Sequence, residues 1–110
     1  MANAQINITN ESATNLLAKD ATKNTAVIQS VLIANADTSD VNVNLYIEKA
    51  DGTIHYIVKG VLVKAKTTFY YDSPIEYSAE LFDLKVLADE VGGSSPSVSA
   101  FLTYTINNKI

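Results

Sequence analysis

Between Val41 and Glu48 apolar and polar residues alternate without a break, with Val41, Val43, Leu45 and Ile47 in one phase and Asn42, Asn44, Tyr46 and Glu48 in the other. A chain can present that pattern to one core only as a strand with one buried face, because successive side chains of a strand point to opposite sides. Asp51-Gly52 follows, residues that tolerate positive φ where right-twisted strands need a close connection, and Thr53, His55 and Ile57 resume the alternation. Residues 41–57 are therefore expected to form a β-hairpin.

The same signal recurs along the chain. The run Ala26-Val27-Ile28-Gln29-Ser30-Val31-Leu32-Ile33-Ala34 is apolar on both phases and predicts a central strand, covered on one face by the core and touched on the other by a partner or an arm. Residues 35–40, Lys64-Ala65-Lys66, Asp72-Ser73-Pro74 and 91–96 are turn or loop chemistry. Tyr56–Val63 reads as a strand with a bulge at Gly60, 67–71 as a β-branched and aromatic strand, and 75–81 as a strand end or a short helical turn. Residues 82–88 alternate loosely, and 98–106 alternate with Ala100, Leu102, Tyr104 and Ile106 in phase. Six to eight short strands spaced by about ten residues predict an all-β fold, a single antiparallel β-sandwich of jelly-roll or Ig-like kind. Residues 26–110 make up that sandwich domain, and 1–25 are read as an N-terminal arm or edge strand.

The arm is polar, with Ile6 and Ile8 alternating inside it. A segment so poor in apolar surface cannot offset an ordering entropy of roughly 1–2 kcal/mol per residue by itself. It is expected to be mobile in the free chain and to order on assembly, so that deleting residues 2–22 leaves the sandwich folded.

At 110 residues the chain fits one domain that can bury a core without staples, and it has no Cys to form disulfides or thiolate metal sites. The N-terminus lacks a basic region followed by an apolar run, and no stretch approaches the ~20 apolar residues of a membrane helix. A non-exported chain with no membrane partner is expected. Two glycosylation sequons, at Asn7 and Asn10, are then formal matches only. The net charge is −4 with eight Lys and no Arg, which removes the bidentate fork used most for phosphate and guanine, so no direct nucleic-acid partner is expected.

Catalytic constellations are wanting. His55 is the single histidine, on a strand next to Tyr56, and reads as a rim residue rather than a base. Asp37 and Asp40 flank a hydroxyl-rich turn and could offer oxygens to Ca²⁺, but their spacing matches no EF-hand, and Asx residues in turns mostly bond their own backbone. Asp89 and Glu90 are read the same way, and Gly92-Gly93 lacks the lysine and the strand-to-helix setting of a phosphate loop. Six tyrosines could line a carbohydrate platform, although sheets and interfaces use tyrosine routinely. No catalytic residue, metal ligand or cofactor is assigned, and the expected chain is not an enzyme. Candidate interface residues are Ile6, Ile8, Ile28, Leu32, Phe69, Tyr70, Tyr71 and Tyr77.

From Thr25 to Ile106 the order of segments resembles small β-sandwich virion proteins of tailed bacteriophages. The carriers are TAVIQSVLIAN at 25–35, VNVNLYI with its DGT turn, YIVKGVLV, LFDLKVLAD at 81–89 and the closing alternating strand; Lys64-Ala65-Lys66 stands where that group usually has a Pro-Ala-Gly-like turn. The resemblance implies a non-enzymatic virion subunit, foremost a capsid decoration or cement protein. Its implied partners are the major capsid protein or neck and tail subunits, together with further copies of itself in a homo-oligomer. The alternatives are a neck or tail accessory subunit and a host-recognition or glycan-binding module of a tail or fibre.

Overall fold

A computed structural model describes residues 2–93 and 95–109. Among them are nine strands and no helix: β1 (Ala2–Ile8), β2 (Thr14–Leu17), β3 (Lys23–Asn35), β4 (Val41–Lys49), β5 (Ile54–Val63), β6 (Thr68–Tyr71), β7 (Ile75–Ser78), β8 (Phe82–Glu90) and β9 (Val98–Asn108). They form two antiparallel sheets. One, termed sheet A, has the order β1-β9-β3-β6 with β7 also on β3; the other, sheet B, runs β2-β8-β4-β5. β6 and β7 pair with the two halves of β3, at 31–34 and 25–28, and act as one strand broken at Asp72-Ser73-Pro74. Counted so, eight strands pass between the sheets in the jelly-roll order. The Ig-like alternative is thereby set aside, and 75–78 is strand rather than a helical turn.

The core lies where the alternation places it. Val41, Val43 and Leu45 of β4 face Leu84, Val86 and Ala88 of β8 and, across the sandwich, Ile28, Val31 and Ile33 of β3 with Ala100 and Leu102 of β9, all nearly inaccessible. The 41–57 hairpin forms as expected, with Gly52 at φ 91° and the Asp51 carboxylate accepting from the Thr53 amide at 3.0 Å. Gly60 sits at φ 67° where the β4–β5 register slips, and its amide donates to Asn44 Oδ1 at 2.6 Å.

Two expectations change. The double apolar phase of 26–34 does not mark a strand covered on both faces. The β3–β9 register shifts between Ile28 and Ser30, so Ala26 and Ile28 before the bulge and Val31 and Ile33 after it all point inward despite opposite parity. Residues 1–25 are expected to be mobile, yet 2–8 form β1 on the edge of sheet A and 14–17 form β2 on the edge of sheet B, with Ile8 and Leu16 in the core. Of the two readings, arm or edge strand, the fold takes the edge strand; polar composition misleads only about mobility, because an edge strand needs only its inner phase to be apolar.

One buried polar side chain closes the end of the sandwich. Asn35, 2% exposed at the end of β3, donates from Nδ2 to the carbonyls of Ser39 and Val63, each at 3.0 Å, and accepts the Asp37 amide on Oδ1 at 3.0 Å.

Candidate functional site

Of the eight expected interface residues, the fold turns most inward. Ile8, Ile28 and Tyr77 are core, and Ile6, Phe69 and Tyr71 pack against it. Burial raises the Tyr77 phenol strongly. Leu32 and Tyr70 alone point out of sheet A, in one row: Tyr70 opposes Leu32, Leu32 opposes Phe101, and Phe101 opposes Gln5. Tyr70 is 56% and Phe101 41% exposed.

Phe101 is not among the expected residues, although its position is readable: it is the large apolar residue out of phase with Ala100, Leu102 and Tyr104. The flanking rows are Asn7, Ser99, Ala34 and Thr68 on one side and Asn3, Thr103 and Ser30 on the other. Ser99 donates to Asn7 at 3.0 Å and Thr103 to Asn3 at 3.4 Å. These three rows contain no charged side chain, so this part of the outer face of sheet A is an aromatic and aliphatic strip framed by amides and hydroxyls; Glu76, which opposes Val27, brings the first charge beyond them. Loss of charge with exposed aromatics at the centre is the composition of an interface core.

The outer face of sheet B differs. Tyr46 and Tyr56 meet with ring centroids 5.5 Å apart, Lys59 stands 4.8 Å over Tyr56, and Lys85 pairs with Glu48 at 2.8 Å. Burial, then the nearby Glu48 charge, raises the Tyr46 phenol. The six tyrosines do not form one platform: Tyr46 and Tyr77 are buried, and the two most exposed, Tyr56 and Tyr70, lie on opposite sheets. His55 is exposed, its ring edge-on to Phe82 at 5.8 Å, and that contact is aromatic packing rather than acid–base geometry.

At the Asn35 end of the sandwich four carboxylates gather. Hydrogen bonding with Asp37, then desolvation and the Asp37 and Glu11 charges, push the Glu90 carboxyl above its ordinary 4.5. The same bond holds Asp37 below 3.8, aided by the Thr38 and Ser39 amides, while a bond with Asp89 raises Glu11. Gly93 lies under the Glu90 carboxylate, where a Cβ would come within 1.6 Å of Oε1. Asp40 is occupied by its own fold, accepting the Ala65 amide at 2.9 Å. Among the described residues no three His, Cys, Asp or Glu side chains are placed to hold a metal ion.

The cluster sets a pH dependence. Glu90 and Glu11, raised on folding, add stability that is complete below 4.5 and lost as pH rises through their folded values. Asp20 and Asp51, lowered by bonds from Thr22 and Thr53, add stability present above 3.8 and lost as pH falls below it. Glu90→Gln keeps a donor for Asp37 and removes a charge. Thermal melts should show the variant more stable than the parent at pH 7 and equal to it near pH 4; a variant less stable at pH 7 would show that the Glu90 charge is favourable.

No protein-family model matches the sequence, and no curated protein sequence matches it. The fold does have relatives among solved structures. The crystal structure of PirA superposes with a TM-score of 0.59 at 15% identity, over 94% of this chain and 93% of that one. A chain from the structure of infectious bursal disease virus, Gx strain, gives 0.51 at 16% identity; 96% of this chain is matched, and it spans 29% of the viral chain. The Drosophila NLP core, whose structure was described for pentamer formation and histone binding, gives 0.49 at 19% identity over 98% of both chains. At these identities the likeness is one of fold: a small jelly-roll that also occurs in a virus-particle protein.

Proposed function

We propose that the protein is a non-enzymatic structural subunit of a virus particle, a capsid decoration or cement protein of a tailed phage, acting through protein–protein contacts. The observation that carries the proposal is the set of uncharged central rows on the outer face of sheet A, with Tyr70, Leu32 and Phe101 in register across three strands. A sheet face of that composition suits contact with a protein surface, and no cluster of titratable groups converges on its three central rows. The jelly-roll is used by capsid and lectin domains alike, so fold alone does not choose between them. The division of exposed tyrosines between two sheets favours a particle subunit over a glycan-binding module.

Particle binding tests the face. Phe101→Asp alters an exposed side chain and should leave the thermal midpoint within a few degrees, while particles offered equal amounts of variant and parent should retain mostly parent. Equal retention would place the contact elsewhere, and binding of the parent to a glycan array but not to particles would support the recognition module instead.

A further inference from the structure

Open sheet edges invite pairing with other chains, and folds usually guard them with shortness, bulges, charge or proline. Three of the edges here are guarded. β2 has four residues and a register break after Asn15. β5 carries Lys59 and the Gly60 bulge. β6 and β7 have four residues each and are split by Asp72-Ser73-Pro74. β1 has none of these devices. Its seven residues, Ala2-Asn3-Ala4-Gln5-Ile6-Asn7-Ile8, hold an unbroken register with β9 and include no charge, Gly or Pro.

We propose that β1 is a homodimerisation edge, pairing antiparallel with β1 of a second copy so that two four-strand rows become one continuous sheet. Antiparallel partners point to the same side, so a strand can pair with its own copy about a two-fold axis only when the axis passes a residue position. The register that uses all seven residues centres on Gln5. Gln5 then meets Gln5 of the copy, Asn3 meets Asn7 on the outer side, and Ala4 meets Ile6 on the inner side, a small residue against a large one. Ile6, half-buried at the open edge, gains cover from the copy.

Charge selects a second copy as the occupant. The chain carries a net charge of −4, so most approaches of one copy to another bring like charges together. β1 and the rows of sheet A beside it carry none, and amides opposed across strands can bond each other. The pairing forms in the purified chain with no particle present, so its failure and that of the virion assignment are separable.

Sedimentation equilibrium of the full-length chain from low micromolar to several hundred micromolar concentration tests the proposal. The expected species at high concentration is a dimer of the 11.9 kDa chain. Gln5→Lys and Gln5→Glu each set like charges side by side on the axis and should weaken the dimer about fivefold or more. Mixing the two variants should restore it as a heterodimer, while both keep the parent's thermal midpoint at low concentration. Hydrogen exchange should slow with concentration in residues 2–8. A chain that stays monomeric throughout, or a dimer that neither variant weakens, overturns the proposal.

Discussion

Deleting residues 2–22 should abolish cooperative unfolding. The truncation removes β1 and β2, one edge from each sheet, and takes Ile8 and Leu16 out of the core. Each such side chain contributes roughly 1.5–3 kcal/mol through burial alone. The loss extends further, because seven paired residues leave β9 and the inner phases of β8 and β9 become open edges. Against the ~5–15 kcal/mol that separates a small domain from its unfolded state, a deficit of this kind is the whole stability. Circular dichroism of the truncated chain should show no thermal transition. A sharp melt near the parent's midpoint would mean that residues 23–109 form a complete sandwich without the edge strands.

Asn35→Ala should destabilise the fold more than any substitution on the outer sheet faces. It strips two donors and one acceptor from a site that is 2% exposed, leaving the Ser39 and Val63 carbonyls and the Asp37 amide without their partner. An unpartnered buried polar group costs about 1–3 kcal/mol, and partial access of water to the Ser39 and Asp37 groups holds the total to roughly 2–4 kcal/mol. Urea unfolding should show the midpoint falling while the slope is unchanged. Asn35→Asp is nearly the same shape, but its carboxylate cannot donate to the two carbonyls, so it should be no better at neutral pH. If Asn35→Asp matches the parent, shape rather than hydrogen bonding accounts for the site.

Both outcomes bear on what is legible in the chain. Alternation at 41–57 and 98–106 locates the hairpin and the closing strand because both have one buried face and a clean period of two. Ile28 and Val31 hide the β3 bulge, since an inserted residue in an apolar run looks like a second apolar phase. β1 and β2 are obscured by their polar outer phase. Asn35 sits in a stretch that reads simply as a turn, and nothing local distinguishes a buried asparagine from an exposed one. The acidic group is invisible for another reason: Glu11, Asp37, Asp89 and Glu90 come from separate segments that only the jelly-roll crossings bring to one end. On the outer face of sheet A, the apolar character of Leu32 and Tyr70 is plain in the sequence, but the row they share with Phe101 depends on strand order, which periodicity does not encode.

The number of copies of this chain in purified phage particles, counted by quantitative mass spectrometry against the major capsid protein, tests the central assignment most directly. A decoration subunit repeats with the symmetry of the shell, so the expected count is on the order of hundreds per particle. Absence from purified particles would contradict the account.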